Sequence, residues 1–241
     1  MRPARFALAL AASLAMLPLT PVLTAARHGA SPASRTIDPS NFVRGVNNKF
    51  FPLTPGTTFF YEGTKDSFPA TNVTFVTHKT KRIMGVTCIE VHDQGFENGV
   101  LAEDTLDWYA QDTAGNVWYF GEDTKELDSD GNVISTGGTW LGGVNGAQPG
   151  IIMEANPHVG DKYQQENAPG VAQDMAQVLG VNKQVSVIYG SFDDVLLTKE
   201  WTPLFPGDVD HKYNAEGIGF ILGVQVKGGN ERTELVRITV E

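Results

Sequence analysis

The sequence predicts an all-β fold: one domain laid out as an antiparallel meander and curved into a sheet or barrel of about 10–13 strands, with little helix. Three observations carry this. Short runs rich in β-branched and aromatic residues recur from Thr57 to Val240, turns bearing glycine or asparagine punctuate them, and no stretch holds a convincing 3.6-residue apolar period. The clearest unit is Asp104–Asp123. There Leu106, Trp108 and Ala110 alternate with Thr105, Asp107, Tyr109 and Gln111, Asp112-Thr-Ala-Gly115-Asn116 reverses the chain, and Val117–Gly121 returns apolar on both faces. A strand apolar on both faces is covered on both sides, which places this hairpin deep in the sheet.

At the N-terminus, the basic start Met1-Arg2-Pro3-Ala4-Arg5, the uncharged run Phe6–Pro18 and the small residues Thr24-Ala25-Ala26 have the form of a secretory signal peptide, residues 1–26. The apolar run is shorter than the roughly 20 residues a membrane-spanning helix needs, so the mature chain is expected to lack a transmembrane segment and to be secreted or periplasmic. Residues 27–47 open with small polar residues punctuated by proline and read as a flexible leader; residues 48–241 read as the single β domain. Thr57–Glu62 is the first full strand expected. Ala172–Leu179 has helix formers, but Val178-Leu179-Gly180-Val181 favours a strand. Asp112-Thr-Ala-Gly-Asn-Val117 recurs as Asp128-Ser-Asp-Gly-Asn-Val133, predicting two successive hairpin turns of the same chemistry. Between Gly137 and Gly150 the many glycines predict a mobile surface loop around Trp140 rather than a strand.

Composition excludes some partners. Removing residues 1–26 takes away Arg2 and Arg5 and no acid, which leaves 16 basic against 28 acidic residues. Such a chain repels phosphate backbones and has no compensating Lys/Arg cluster, so nucleic acid is not an expected partner. Cys88 is the only cysteine, so no internal disulfide forms and the core must supply stability. Serine-nucleophile elbows, phosphate loops, zincin helices and dinucleotide-binding fingerprints are absent from the sequence.

The candidate chemistry lies on strand faces. Cys88, Glu90 and His92 are spaced by two and project from one face, a set of soft and imidazole ligands that would suit a divalent metal; the competing reading is a buried cysteine beside two surface residues. No cofactor is otherwise predicted. Glu126-x-Asp128-x-Asp130-Gly131 resembles half of a calcium loop, but Gly137 stands where the closing bidentate acid belongs. Glu103, Thr105, Asp107, Tyr109 and Gln111 form one polar face, and Thr198, Glu200 and Thr202 another. The default reading sends such faces to solvent, as in half-solvated antiparallel sheets. The alternative turns them inward, where Glu103, Asp107, Trp108, Tyr109, Trp118, Tyr119 and Glu200 would line a ligand cavity and the carboxylates would be candidates for acid/base work.

Gly56-Thr-Thr-Phe-Phe-Tyr-Glu-Gly63, the Trp108–Asp123 hairpin, Gln148-Pro-Gly-Ile-Ile-Met153 and Lys212-Tyr-Asn-Ala-Glu-Gly-Ile-Gly219 together resemble a family of exported bacterial β-sheet proteins without assigned function. More distantly, Val159-Gly-Asp-Lys-Tyr163, Tyr189-Gly-Ser-Phe192 and Tyr213–Gly219 are similar to a pattern in periplasmic lipoprotein-carrier-like half-barrels. The resemblance rests on turn glycines and strand aromatics, so it implies a curved antiparallel sheet and carries over no catalytic residue. The functional expectation is a soluble exported protein that holds a small-molecule or lipid-like ligand in its curved sheet. The alternatives are a secreted hydrolase-like enzyme using carboxylates in the same concavity, and an envelope-associated structural protein.

Overall fold

The computed structural model describes residues 37–241. The signal peptide expected over 1–26 and the first part of the leader lie outside the described residues. A short 3-10 turn, Pro39–Asn41, precedes the strands, which run β1 Val46–Asn48, β2 Phe51–Leu53, β3 Thr57–Lys65, β4 Phe68–Ile83, β5 Val86–Glu97, β6 Val100–Gln111, β7 Val117–Leu127, β8 Val133–Ser135, β9 Trp140–Leu141 and β10 Gln148–Met153. The remainder are β11 Lys162–Gln164, β12 Glu166–Asn167, β13 Met175–Val187, β14 Gly190–Trp201, β15 Val209–Ala215, β16 Gly219–Lys227 and β17 Arg232–Val240. The all-β single domain is as the sequence predicts. There are more strands than expected because several are only two or three residues long, too short to show a period of two.

All strands except the β1–β2 hairpin join one antiparallel sheet, ordered β11-β13-β14-β15-β16-β17-β3-β4-β5-β6-β7-β10-β12, with β8 and β9 branching from β7. Its two ends are neighbours in the chain. Lys162–Gln164 pairs with Gln177–Met175 of β13, and Glu166 and Asn167 pair with Pro149 and Gln148 of β10, so one short segment bridges the two ends and the sheet is a nearly closed barrel. Backbone crowding at this seam requires a glycine: a Cβ on Gly150 would stand 2.3 Å from the carbonyl oxygen of Gln165.

The β1–β2 hairpin stoppers one end of the barrel. It buries Phe50, Phe51 and Leu53 in the interior core, with Phe51 edge-on to Tyr109 at 5.2 Å. Its polar residues are held at both sides of the mouth: the Asn48 amide donates to the carbonyls of Gly115 (2.9 Å) and Glu154 (3.0 Å), and Gly217 N donates to the Lys49 carbonyl (2.7 Å). Of the residues expected within the flexible leader, Ile37 and Phe42 pack on the outside instead, and Val46 of β1 enters the interior core. Phe42 sets its ring edge against Trp118 (6.1 Å) and Phe120 (5.4 Å), closing an outer apolar cluster with Ile83, Val86, Cys88, Trp108 and Ala110. The β6–β7 hairpin is therefore covered on both faces, as its sequence requires.

The repeated turns are confirmed in detail. Asp112 and Asp128 each accept from the backbone N–H of the asparagine four residues on, at 2.8 and 2.9 Å, and Gly115 and Gly131 donate back to those aspartates' carbonyls at 3.0 Å. Residues 137–150 correct the sequence reading. Instead of a mobile surface loop, they supply β9 and the start of β10, with Trp140 and Ala147 in the interior core. Glycine was misleading there because it serves close packing: a Cβ on Gly142 would meet the Phe120 carbonyl oxygen at 3.1 Å, and one on Gly121 of the neighbouring β7 the Trp140 carbonyl oxygen at 2.5 Å.

Candidate functional site

Register places the polar strand faces inside the barrel. Across β4, β5, β6 and β7 the inward rows read Asn72–Gly95–Glu103–Glu126, Thr74–Asp93–Thr105–Thr124 and Val76–Val91–Asp107–Glu122, above the pair Tyr109–Tyr119. Thr105, Asp107 and Glu122 are completely buried. The default of solvated polar faces is thus overturned. Closing the sheet leaves the apolar alternate, with Trp108 and Cys88, to be covered from outside by Ile37, Phe42 and Leu141 of β9.

The sequence candidates divide accordingly. Glu103, Asp107, Tyr109 and Tyr119 stand inside, Tyr109 and Tyr119 stacked at 4.7 Å. Trp108 and Trp118 belong to the outer cluster. Trp108 donates to Glu90 Oε2 (3.3 Å) with the Lys81 ammonium 3.3 Å from its ring centre, and Trp118 donates to Asp112 Oδ2 (2.9 Å). Alternation forbids Trp108 and Tyr109 from sharing a face, so the four aromatics cannot line one cavity. Glu200 is buried on the β14 side, where it accepts from Thr198 (2.9 Å) and pairs with the Lys212 ammonium at 2.8 Å.

Cys88, Glu90 and His92 do share the outer face, but each is otherwise engaged. Cys88 is wholly buried, and burial pushes its thiol up to about 12. Glu90 meets Thr77 and Trp108, and His92 Nε2 lies 2.7 Å from Asp104 Oδ1. No group of ligating side chains able to hold a metal occurs among the described residues. In the half calcium loop, Asp128 is committed to the turn through Asp130 N and Asn132.

The interior cluster centres on residues that reasoning from the sequence missed: Glu122, Glu166 and Trp140. The Tyr119 hydroxyl donates to Asp107 Oδ1 and lies 3.2 Å from Glu122 Oε2. A phenol has one hydrogen for these two carboxylates. With that hydrogen given to Asp107, the contact to Glu122 is favourable when a proton on Glu122 donates to the phenolic oxygen. Trp140, edge-on to Tyr119 at 5.4 Å, directs its indole N–H at Glu166 Oε1 (3.4 Å). The second oxygen of each carboxylate, Asp107 Oδ2, Glu122 Oε1 and Glu166 Oε2, is buried without a hydrogen-bond partner.

Such crowding sets the charge. Burial, then the field of Asp93, pushes Asp107 up to about 8 against the pull of Tyr119 and Lys212. Burial raises Glu122 well above the carboxylate range, with Asp107, Glu103 and Asp174 adding to it, and raises Glu166 likewise, with Asp174 and Glu122 adding. Asp93 reaches only about 6 because Thr74 and Asn72 hydrogen-bond its carboxylate. Protons are therefore shared within the cluster at neutral pH.

A pocket lies beside one wall of the cluster. β7 pairs with β10 through Val117–Tyr119 and with β9 through Gly121 and Glu122, with a bulge between Tyr119 and Gly121. Beside this change of partner lies a cavity of about 450 Å³ whose lining includes Lys81, Trp108, Glu122, Asp123, Thr139 and Trp140. Of the buried carboxylates at the centre of the cluster, Glu122 alone belongs to that lining. Leu141, Val144, Ala147 and Val171 make much of the remaining wall apolar.

Neither a protein-family model nor a curated protein matches the chain. Two solved structures do. One, from Bacteroides fragilis NCTC 9343, is described as a candidate exported protein with a YmcC-like fold; it is 13% identical, has a TM-score of 0.47, and the match covers 80% of this chain and 99% of that one. The other, a candidate lipoprotein from Parabacteroides distasonis ATCC 8503, is 10% identical with a TM-score of 0.45 and the same coverage.

Proposed function

We propose that the protein is exported and that its lateral pocket binds a small amphipathic ligand. The observation that carries this reading is the pocket's mixed lining: aliphatic side chains along much of its wall and the completely buried Glu122 among them. Its volume of about 450 Å³ is within the usual range for a small-molecule site. Export rests on the signal-peptide pattern of residues 1–26.

A second reading, an acid/base enzyme, draws on Asp107 and Glu122 sharing one phenol with raised carboxyl pKa values. Binding is preferred because Glu122 lines the pocket and Asp107 does not. The test is native mass spectrometry of protein purified from its own host, with intrinsic fluorescence of Trp108 and Trp140 as the reporter. A co-purifying small molecule whose removal changes the emission, and whose return restores it, is the expected result. Protein that leaves its host without ligand, and whose emission is unchanged by a panel of amphiphiles, would defeat the binding reading. Release of a chemically altered molecule would favour the enzyme.

A further inference from the structure

We propose that the ligand's head is an organic cation, an ammonium or guanidinium, seated against Glu122, with Glu166 adding to the field there, while its apolar tail lies along Leu141, Val144 and Val171. This rests on the reading of the pocket as a ligand site and adds the chemical class of the head group. Three observations bear on it independently. Glu122 lines the cavity, is completely buried, and leaves Oε1 without a partner; Glu166, also completely buried, leaves Oε2 without one. Trp140 lines the same cavity and donates its indole N–H to Glu166, which fixes that carboxylate at the edge of the ring. The groups facing Glu122 are themselves acceptors or acids: Asp107 and Glu103 from β6, Tyr119 from its own strand, Glu166 from β12 and Asp174 ahead of β13.

A carboxylate head would meet this set as like charge in a low-dielectric site, whereas a cation supplies the donors the free oxygens lack. Lys212, the interior ammonium, is paired with Glu200 at 2.8 Å. Lys81 stands at the pocket over the outer face of Trp108. Because the cluster shares protons, a cation enters by exchange. The carboxyl proton of Glu122 leaves to solvent as the ammonium arrives, and the carboxylate left behind pairs with that ammonium. One positive charge goes out for one that comes in, so charge inside the barrel is unchanged. Affinity for an amine must therefore rise with pH while the amine itself stays protonated, by up to about tenfold per pH unit for one proton released.

The experiment uses the whole mature protein and four probes: octylamine, octylguanidine, octanol and octanoate. Tryptophan fluorescence gives affinities from pH 6 to 9. Calorimetry in two buffers of different ionisation enthalpy counts protons. The expected result is that both cations bind at least about tenfold more tightly than octanol, that octanoate binds weakest, and that close to one proton is released per cation. Glu122→Gln should abolish the preference for cations while leaving octanol binding intact. Glu166→Gln should reduce it and serves as the second variant if Glu122→Gln fails to fold. Equal affinity for octylamine and octanol, no proton release, or an undiminished cation preference in the folded variants would overturn the head-group assignment and leave the pocket reading standing. No binding of any probe would overturn both.

Discussion

Two buried polar regions of this barrel behave in opposite ways. At the stoppered mouth, Asn48 donates to two carbonyls and accepts from Phe50 N at 2.9 Å, while Gln111 accepts from Asn47 N (2.8 Å) and donates to Asn47 Oδ1 (2.7 Å). Around Asp107, Glu122 and Glu166 one oxygen of each carboxylate has no partner. A buried polar group left unsatisfied costs about 1–3 kcal/mol, more when charged. The satisfied region specifies structure: it fixes the hairpin across the mouth. The unsatisfied region is a standing cost to folding.

The largest expected effect attacks the satisfied side. Asn48→Ala removes the hydrogen bonds that tie the stopper to Gly115 and Glu154, and denaturant unfolding should show a loss of about 3–5 kcal/mol. A loss below about 1 kcal/mol, the net value of one ordinary hydrogen bond, would show that the stopper is held by its aromatics alone.

Next in size is the pH dependence of the other region. Asp107 and Asp93 sit at about 8 and about 6 against an ordinary 3.8, so the folded protein holds these protons more tightly than the unfolded chain. For an acid raised in this direction, the stability is fully present below about pH 4 and is lost as pH climbs through 6 and then 8. Thermal unfolding should move down from pH 5 to pH 8.5 by an amount of order 3 kcal/mol, or about 6–12 °C for a domain of this size. A flat or rising profile would mean that the carboxylates are ionised and compensated. Asp107→Asn sharpens this by keeping the acceptor for Tyr119 and deleting one titration. The slope between about pH 6 and 8 should shrink while the part below about pH 6 that comes from Asp93 persists.

The smallest effect should come from Tyr109→Phe. The Tyr109 hydroxyl is buried and has no hydrogen-bond partner, so its deletion should change stability by less than about 0.5 kcal/mol or raise it. A loss above about 1.5 kcal/mol would show that the hydroxyl does have a partner, such as an ordered water.

The contrast between these regions also explains what could be read from the sequence. Alternation in Thr105–Gln111 and the asparagine–glycine turns are local signals, and they gave the fold class, the β6–β7 hairpin and both turns correctly. Whether Asp107 faces solvent or interior is not local. It depends on Glu166 and Lys162 meeting strands on opposite sides of the seam, through backbone pairing that leaves little trace in side-chain type. Trp140 and Glu166 meet across a stretch that composition marks as loop. The available signal was glycine inside apolar runs, Gly121 and Gly150, which marks close backbone approach as readily as mobility.

The partner of β3 has a consequence in time. The first long strand pairs with the last, Thr57 opposite Val240 and Phe59 opposite Ile238. Synthesis runs from the N-terminus, so β3 has one edge unpaired until β17, Arg232–Val240, has emerged. That pairing closes a loop spanning most of the domain, and such long-range contacts form slowly. The barrel is thus completed late in folding, and until then β3 and β17 each keep an unpaired strand edge, which is open to pairing with another chain.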